Sequence, residues 1–207
     1  MKDRPWYPIV YMFAVTAVFS SMLIGLSRFT RERVEANKQL AFEKAVLQAL
    51  PLELPPKASS LELHRLFTES IRPGDEHSAG AYLWVKNGRI AAYALPIAGR
   101  GFWDQIRAVI GIAADAKTIT GIVFYEQNET PGLGAQITTI EFRQQFVGKK
   151  IAESGQPFHI RAATAELGES DVHAVTGATQ TSSRVDRIIN DHLTRWRQKM
   201  MGKETTR

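Results

Sequence analysis

Cysteine is absent from the chain. Thiolate metal sites, iron–sulfur clusters held by the chain itself and cysteine nucleophiles are thereby excluded, so any redox chemistry must come from a bound cofactor. Several signatures are missing as well. There is no G-x-S-x-G elbow, no G-x-x-x-x-G-K-[ST] phosphate loop and no His-Glu-x-x-His, which removes most support for hydrolase and nucleotide-triphosphatase readings. Gly132-Leu-Gly134 lacks the third glycine of a dinucleotide fingerprint. The 5 histidines, at 64, 77, 159, 173 and 192, show no metal spacing and read as surface or core residues, so no metal is expected. Basic residues outnumber acidic ones by 26 to 21, yet no basic patch is interleaved with aromatics, and nucleic acid is not an expected partner. Neither an internal repeat nor a low-complexity segment occurs.

Charge is also missing from one long stretch. Pro5 to Ser27 contains no charged residue and, at 1.5 Å per residue, makes about 34 Å of helix, enough to span a bilayer core. Trp6, Tyr7 and Tyr11 lie near one end, where amphipathic rings favour the membrane interface. The run is longer than a signal-peptide core, and Ser20-Ser21 or Gly25-Leu-Ser27 makes a poor cleavage site, so an uncleaved anchor is expected. Lys2 and Arg4 flank one side; Arg28, Arg31 and Arg33 flank the other. Counted plainly, these charges favour a cytoplasmic C-terminal part, by a small excess.

Beyond the anchor, Val34, Leu40, Ala41, Ala45, Leu47 and Leu50 form a loose helical stripe that reads as a stalk helix. Pro51, Pro55 and Pro56 end it, and "LPPKASS" is a linker. The expected division is 1–28 anchor, 29–59 stalk and linker, and 60–207 folded domain. Asn87-Gly88 joins two β-rich runs, a strong hairpin signal, and "DQIRAVIGIAAD" and "KTITGIVFYEQ" repeat the arrangement around a turn at Asp115 to Lys117. Four antiparallel strands follow. "TIEFRQQFVGKKI" suggests a short helix, and Ser182 to Met200 carries Val185, Ile188, Ile189, Leu193 and Trp196 at helical spacing. The fold class is therefore α+β, a small antiparallel sheet with helices packed on it.

Two segments stand out. In Glu129-Thr-Pro-Gly-Leu-Gly-Ala135 a proline fixes φ and two glycines permit turns closed to other residues. Such a loop is either an ordinary turn or one that brings its backbone N–H groups to a flat ligand. "HAVTGATQTSS", 173–183, places five hydroxyls and a glycine at a helix start. Ser183 to Asp186 fits a capping box, which explains one hydroxyl. Small residues, backbone donors and a helix N-terminus are also what a phosphate needs.

Together, "YEQNETPGLGAQI" and "VTGATQTSSRV", with "GRGFWDQIRAVIGI" at 99–112, resemble the FMN-binding domain shared by the G subunit of the Rnf electron-transport complex and the C subunit of the sodium-translocating NADH:quinone reductase. The resemblance is close over about 80–200. It implies a membrane-anchored flavoprotein subunit that relays electrons within an ion-translocating complex, with no independent turnover and no catalytic residue of its own. It also implies FMN esterified through its phosphate to Thr179 by a separate flavin transferase. Thr176, Gly177, Ala178, Thr181 and Ser182 would surround the phosphate, and the ring would lie against Glu129, Thr130, Gly132, Leu133 and Gly134. Trp103 would be either a stacking wall or a core aromatic. One departure concerns the aspartate that commonly precedes the first hydroxyl of the attachment motif by three residues: His173 stands there, with Asp171 two residues earlier. The family places the domain in the periplasm, on a single-pass anchor in a bacterial inner membrane, against the charge count. Thr176 is closer to the Rnf subunit, whereas "GFW" and "FYEQNETPGLGAQ" are as close to the reductase subunit; the reading leans to an Rnf-type complex, with the reductase, or a free-standing extracytoplasmic carrier, as the alternative.

Overall fold

A computed structural model describes residues 6–55, 57–75 and 78–201. Lys2, Arg4, Pro5, Pro56, His77 and the segment 202–207 lie outside the described residues, and with them part of the charge flanking the anchor and one linker proline. The chain divides into two compact units, Met1–Leu40 and Ala41–Arg207.

Helix α1 runs from Tyr7 to Ala49. Between Tyr7 and Ser27 it carries large apolar side chains on every side, with Ile9, Phe13, Met22 and Leu23 all about two-thirds exposed or more. A helix that is apolar all round has no core-facing stripe, which suits a lipid surface rather than a protein one. Mean hydropathy reaches 2.1 over its most apolar window, so it is long and apolar enough to cross a membrane.

The second unit is built on a five-stranded antiparallel meander. Its strands are β1 Ile71–Arg72, β2 Tyr82–Lys86, β3 Arg89–Arg100, β4 Gln105–Ala113 and β5 Ile119–Glu126. The two expected hairpins are present. Asn87 and Gly88 both have positive φ, 53° and 73°, the conformation that a two-residue hairpin turn requires. At the second hairpin Asp115 accepts from the Lys117 and Thr118 backbone N–H groups, each at 2.9 Å, and Ala116 takes the positive φ.

Side-chain alternation divides the core. Tyr93, Leu95, Ile97, Ile106, Ile110, Ile112, Ile122 and Phe124 pack on one face, against α3 (Ile140–Gln144), the parallel pair β6 (His159–Arg161) and β7 (Asp171–His173), and α4 (Thr179–Met201). Each fully buried isoleucine contributes about 1.5–3 kcal/mol. On the other face Ala92, Ala94, Val109 and Val123 meet Ala45, Val46, Leu47 and Ala49 from the end of α1.

This second contact alters the expected boundary. The last turns of the stalk helix are core, and the compact unit begins at Ala41 rather than near residue 60. The reason is visible in the small residues of the sheet. A methyl group on Gly111 would run into the Ala49 carbonyl, and the Thr120 hydroxyl donates to that same carbonyl at 2.8 Å. Helix α2 (Ser60–Ser70) follows, opened by a reciprocal capping box between Ser59 and Glu62, and its His64 contacts the buried Glu43 of α1 at 2.8 Å.

Helix α4 docks through the expected stripe, with Val185, Ile188, Ile189, Leu193 and Trp196 buried. It starts at Thr179, however, so Ser183 and Asp186 lie within it and form no capping box. Asp186 instead accepts from the Ile160 backbone N–H at 2.7 Å and from the Gln156 amide at 3.2 Å. Asn190 accepts from the Phe158 N–H at 2.9 Å. These polar contacts explain why an acid sits on the helix flank that faces β6.

Candidate functional site

Three segments meet at one end of the sheet. The β3–β4 turn, Gly101 to Asp104, is closed by the Gly101 N–H donating to the Asp104 carbonyl at 2.7 Å. Strand β5 ends at Glu126, beside Arg107 near the start of β4, and delivers the loop of Glu129 to Ala135 to the same end. The first turn of α4 completes the group.

The residue that joins them is Glu129, which is 4% exposed. One carboxylate oxygen accepts from the backbone N–H groups of Phe102 and Trp103, at 2.9 and 3.2 Å. The other accepts from the Thr181 hydroxyl at 2.6 Å. An acceptor at both oxygens is what a carboxylate offers, and its charge lies at the N-terminal end of α4, whose first turn has no acid of its own. The packing around it is close. A methyl group on Gly101 would lie 2.5 Å from the Glu129 oxygen, and one on Gly134 would lie 3.0 Å from its Cβ. Glycine at both positions is what admits the carboxylate.

The hydroxyls of 176–183 separate into two sets. Thr181 and Ser182 are buried at 4% and 3%; the first donates to Glu129, and the second accepts from the Val175 N–H at 3.2 Å. Their side chains brace the turn from within. Thr176, Thr179 and Ser183 are exposed. Gly177, between the two exposed threonines, has φ 77°, a left-handed conformation that costs glycine nothing. Ala178 is buried and anchors the turn below them. In the first turn of a helix the backbone N–H groups have no intrahelical acceptor, which applies to those of Thr179, Gln180 and Thr181, whereas the Ala178 N–H donates to the Val175 carbonyl at 3.1 Å.

In the glycine-rich loop, two of the amides close a turn on the loop itself, the first of its two readings. The N–H groups of Leu133 and Ala135 both donate to the Thr130 carbonyl at 3.1 Å. Gly132 takes the positive φ, 75°, that this tight closure needs. What the loop presents is the Leu133 side chain, 45% exposed, which lies over Gly177: a methyl group there would be 3.3 Å from Leu133 Cδ2. Trp103 is 60% exposed, which excludes the core alternative, and its indole N–H donates to the Thr130 hydroxyl at 3.0 Å. Phe102, 44% exposed, sits edge-on to it with centroids 5.0 Å apart. Phe102 is a member of this end that sequence reasoning missed; the signal was the pair of aromatics following Gly101. Asn128, whose amide donates to Asp104 at 2.7 Å, was missed too and carried no local signal.

His173 and Asp171 both lie in β7. The Asp171 carboxylate accepts from the Gly168 N–H at 2.9 Å and pairs with Arg161 at 3.4 Å. Burial raises its pKa, but these donors outweigh burial and hold it below the ordinary value. Asp171 is thus committed to its own turn rather than shifted into the place of the aspartate that the resemblance leads one to look for. The His173 backbone N–H donates to Gln145 at 2.9 Å.

Exposed hydroxyls at a helix start thus share one end of the sheet with the exposed apolar side chains of Leu133, Trp103 and Phe102. Residues 101–194 match the FMN-binding domain family. The C subunit of the Na(+)-translocating NADH-quinone reductase of Vibrio vulnificus is 38% identical over 117 residues, 55% of this chain and 46% of that protein. The corresponding protein of Chlamydia pneumoniae is 34% identical over 152 residues, 70% of this chain and 46% of that protein. The chain spans about half the length of the curated relatives it matches. Crystal structures of the same reductase component from Parabacteroides distasonis and Shewanella oneidensis superpose with TM-scores of 0.70 and 0.67. They cover 82% and 81% of this chain, with 96% and 99% of those chains matched, at 23% and 20% identity, and so share its fold.

Proposed function

We propose that the protein, whose residues 101–194 match the FMN-binding domain family, is a membrane-anchored flavin carrier that relays electrons between other subunits of a membrane redox complex. FMN, when bound, supplies one- and two-electron chemistry; the chain supplies its seat and surroundings. The observation that carries the reading is the pairing of exposed Thr176 and Thr179 at the start of α4 with the apolar wall of Leu133, Trp103 and Phe102 at the same end of the sheet.

Thr179 is the attachment residue. Its hydroxyl oxygen attacks the flavin phosphate of an activated phosphoanhydride donor: the new Thr179 O–P bond forms as the anhydride P–O bond breaks, and the displaced phosphate leaves with that bond's electron pair and the hydroxyl proton, a group transfer without change of oxidation state, carried out by a flavin transferase. The phosphodiester retains one negative charge at the positive end of α4, where the helix dipole and first-turn N–H groups favour it. Thr176 and the Gly177 backbone lie next to it. Leu133 and Trp103 bound the ring, with Thr130 holding the indole in place through its hydroxyl. Helix α1 anchors the chain in the bacterial inner membrane, and the unit beginning at Ala41 works in the periplasm.

The matched relatives point to a complex of the sodium-translocating reductase type. An Rnf-type complex is the second reading, favoured by threonine at position 176. A denaturing gel viewed under ultraviolet light, after co-expression with a flavin transferase, tests the proposal. A fluorescent wild-type band and a dark Thr179→Ala band are expected; a dark wild-type band would overturn the covalent assignment.

A further inference from the structure

Glu129 is buried, and its three hydrogen-bond donors are two backbone N–H groups and one hydroxyl, with no lysine or arginine among them. Burying an acid is costly unless its acceptors are filled, and here the donors come from different parts of the proposed flavin site. Phe102 and Trp103 belong to the aromatic turn, Thr181 to the helix that carries Thr179, and Glu129 itself opens the glycine-rich loop. Two glycines, Gly101 and Gly134, leave no room for a side chain beside it. The indole N–H of Trp103 then reaches Thr130, the next residue in the same loop.

We propose that Glu129 is the positioning residue of this site: one buried carboxylate holds the aromatic turn and the first turn of α4 against the Glu129–Ala135 loop, and so fixes where a ring can lie relative to the Thr179 oxygen. The inference rests on the flavin reading given above and adds to it a residue that need not touch the flavin. Glutamine is the informative replacement. Its amide oxygen can accept from the two N–H groups while its NH2 donates to the Thr181 oxygen, because a hydroxyl serves in either role. Alanine leaves all three donors unmet.

The test uses the full chain in detergent, as wild type, Glu129→Gln and Glu129→Ala. Amide hydrogen exchange is read first on the flavin-free protein. Exchange at Phe102 and Trp103 is expected to accelerate by about tenfold or more in Glu129→Ala, stay near wild type in Glu129→Gln, and leave Ile188 and Ile189 unchanged in both. The second readout is the visible circular dichroism of the flavin after co-expression with a flavin transferase. A ring held in one orientation gives a defined band, expected in wild type and Glu129→Gln and lost in Glu129→Ala. Equal exchange at Phe102 and Trp103 in all three proteins would overturn the positioning role, as would acceleration spread evenly through the domain. A wild type without flavin would sink the flavin reading instead, while the exchange data would still decide the role of Glu129.

Discussion

The Thr181 hydroxyl donates to the Glu129 carboxylate across 2.6 Å, although 52 positions separate the two in sequence. That bond joins the helix bearing the proposed attachment residue to the loop proposed to lie under the flavin. Thr181→Val keeps the shape and removes the donor. A buried acceptor deprived of one partner costs about 1–3 kcal/mol, so the denaturant midpoint of the domain should fall correspondingly. An unchanged midpoint would show that the bond contributes nothing to stability.

Gly111→Ala tests the docking of the α1 end. The new methyl group meets the Ala49 carbonyl, and overpacking of this kind costs about 1–3 kcal/mol. Proteolysis near residues 50–55 should accelerate as the helix end lifts from the sheet. Equal proteolysis in variant and wild type would contradict the close approach.

Trp103→Ala should separate ring contact from folding. With the indole 60% exposed, its loss should change stability by no more than about 0.5–1 kcal/mol, in the range of surface substitutions and one hydrogen bond. Flavin fluorescence in the folded, loaded protein should rise as an aromatic neighbour is removed. Fluorescence equal to wild type would mean that the ring does not lie on Trp103.

The Asp115 turn predicts a dependence on pH. Burial raises the pKa of this carboxyl, but donation from Thr118 and Lys117 and the charge of Lys150 outweigh burial and lower it from its ordinary 3.8. A carboxyl depressed in the folded state stabilises the fold above its unfolded pKa, and that stabilisation is lost as pH falls through the folded value. Asp115→Asn should therefore be less stable than wild type at pH 7, and the difference should shrink below about pH 4. A difference that is constant with pH would contradict this account of the turn.

The strands, both hairpin turns and the apolar stripe of α4 were legible because each is a local pattern: Asn87-Gly88 is a turn by its own backbone preferences, and Val185 to Trp196 repeat at helical spacing. The role of the α1 end was not. Its stripe fits a free stalk equally well, and only Gly111 and Gly121, far along the chain, reveal that a helix lies against the sheet. At the site, the family resemblance implied that Glu129, Trp103 and Thr179 surround one ligand and singled out Thr179 for attachment, but the residues alone could not rank the hydroxyls. Ranking required burial, which turns Thr181 and Ser182 inward and leaves Thr176 and Thr179 outside. Ser183 to Asp186 misled because a capping pattern one turn into a helix is indistinguishable in sequence from one at its start.

The most direct measurement of the central claim is the mass of one tryptic peptide. Cleavage after Arg161 and Arg184 releases 162–184 intact, with Thr176, Thr179, Thr181, Ser182 and Ser183 on one fragment. From protein co-expressed with a flavin transferase, this peptide should gain the mass of one FMN less one water, and fragmentation should place the gain on Thr179. An unmodified peptide, or a gain placed on Thr176 or another residue, would contradict the account.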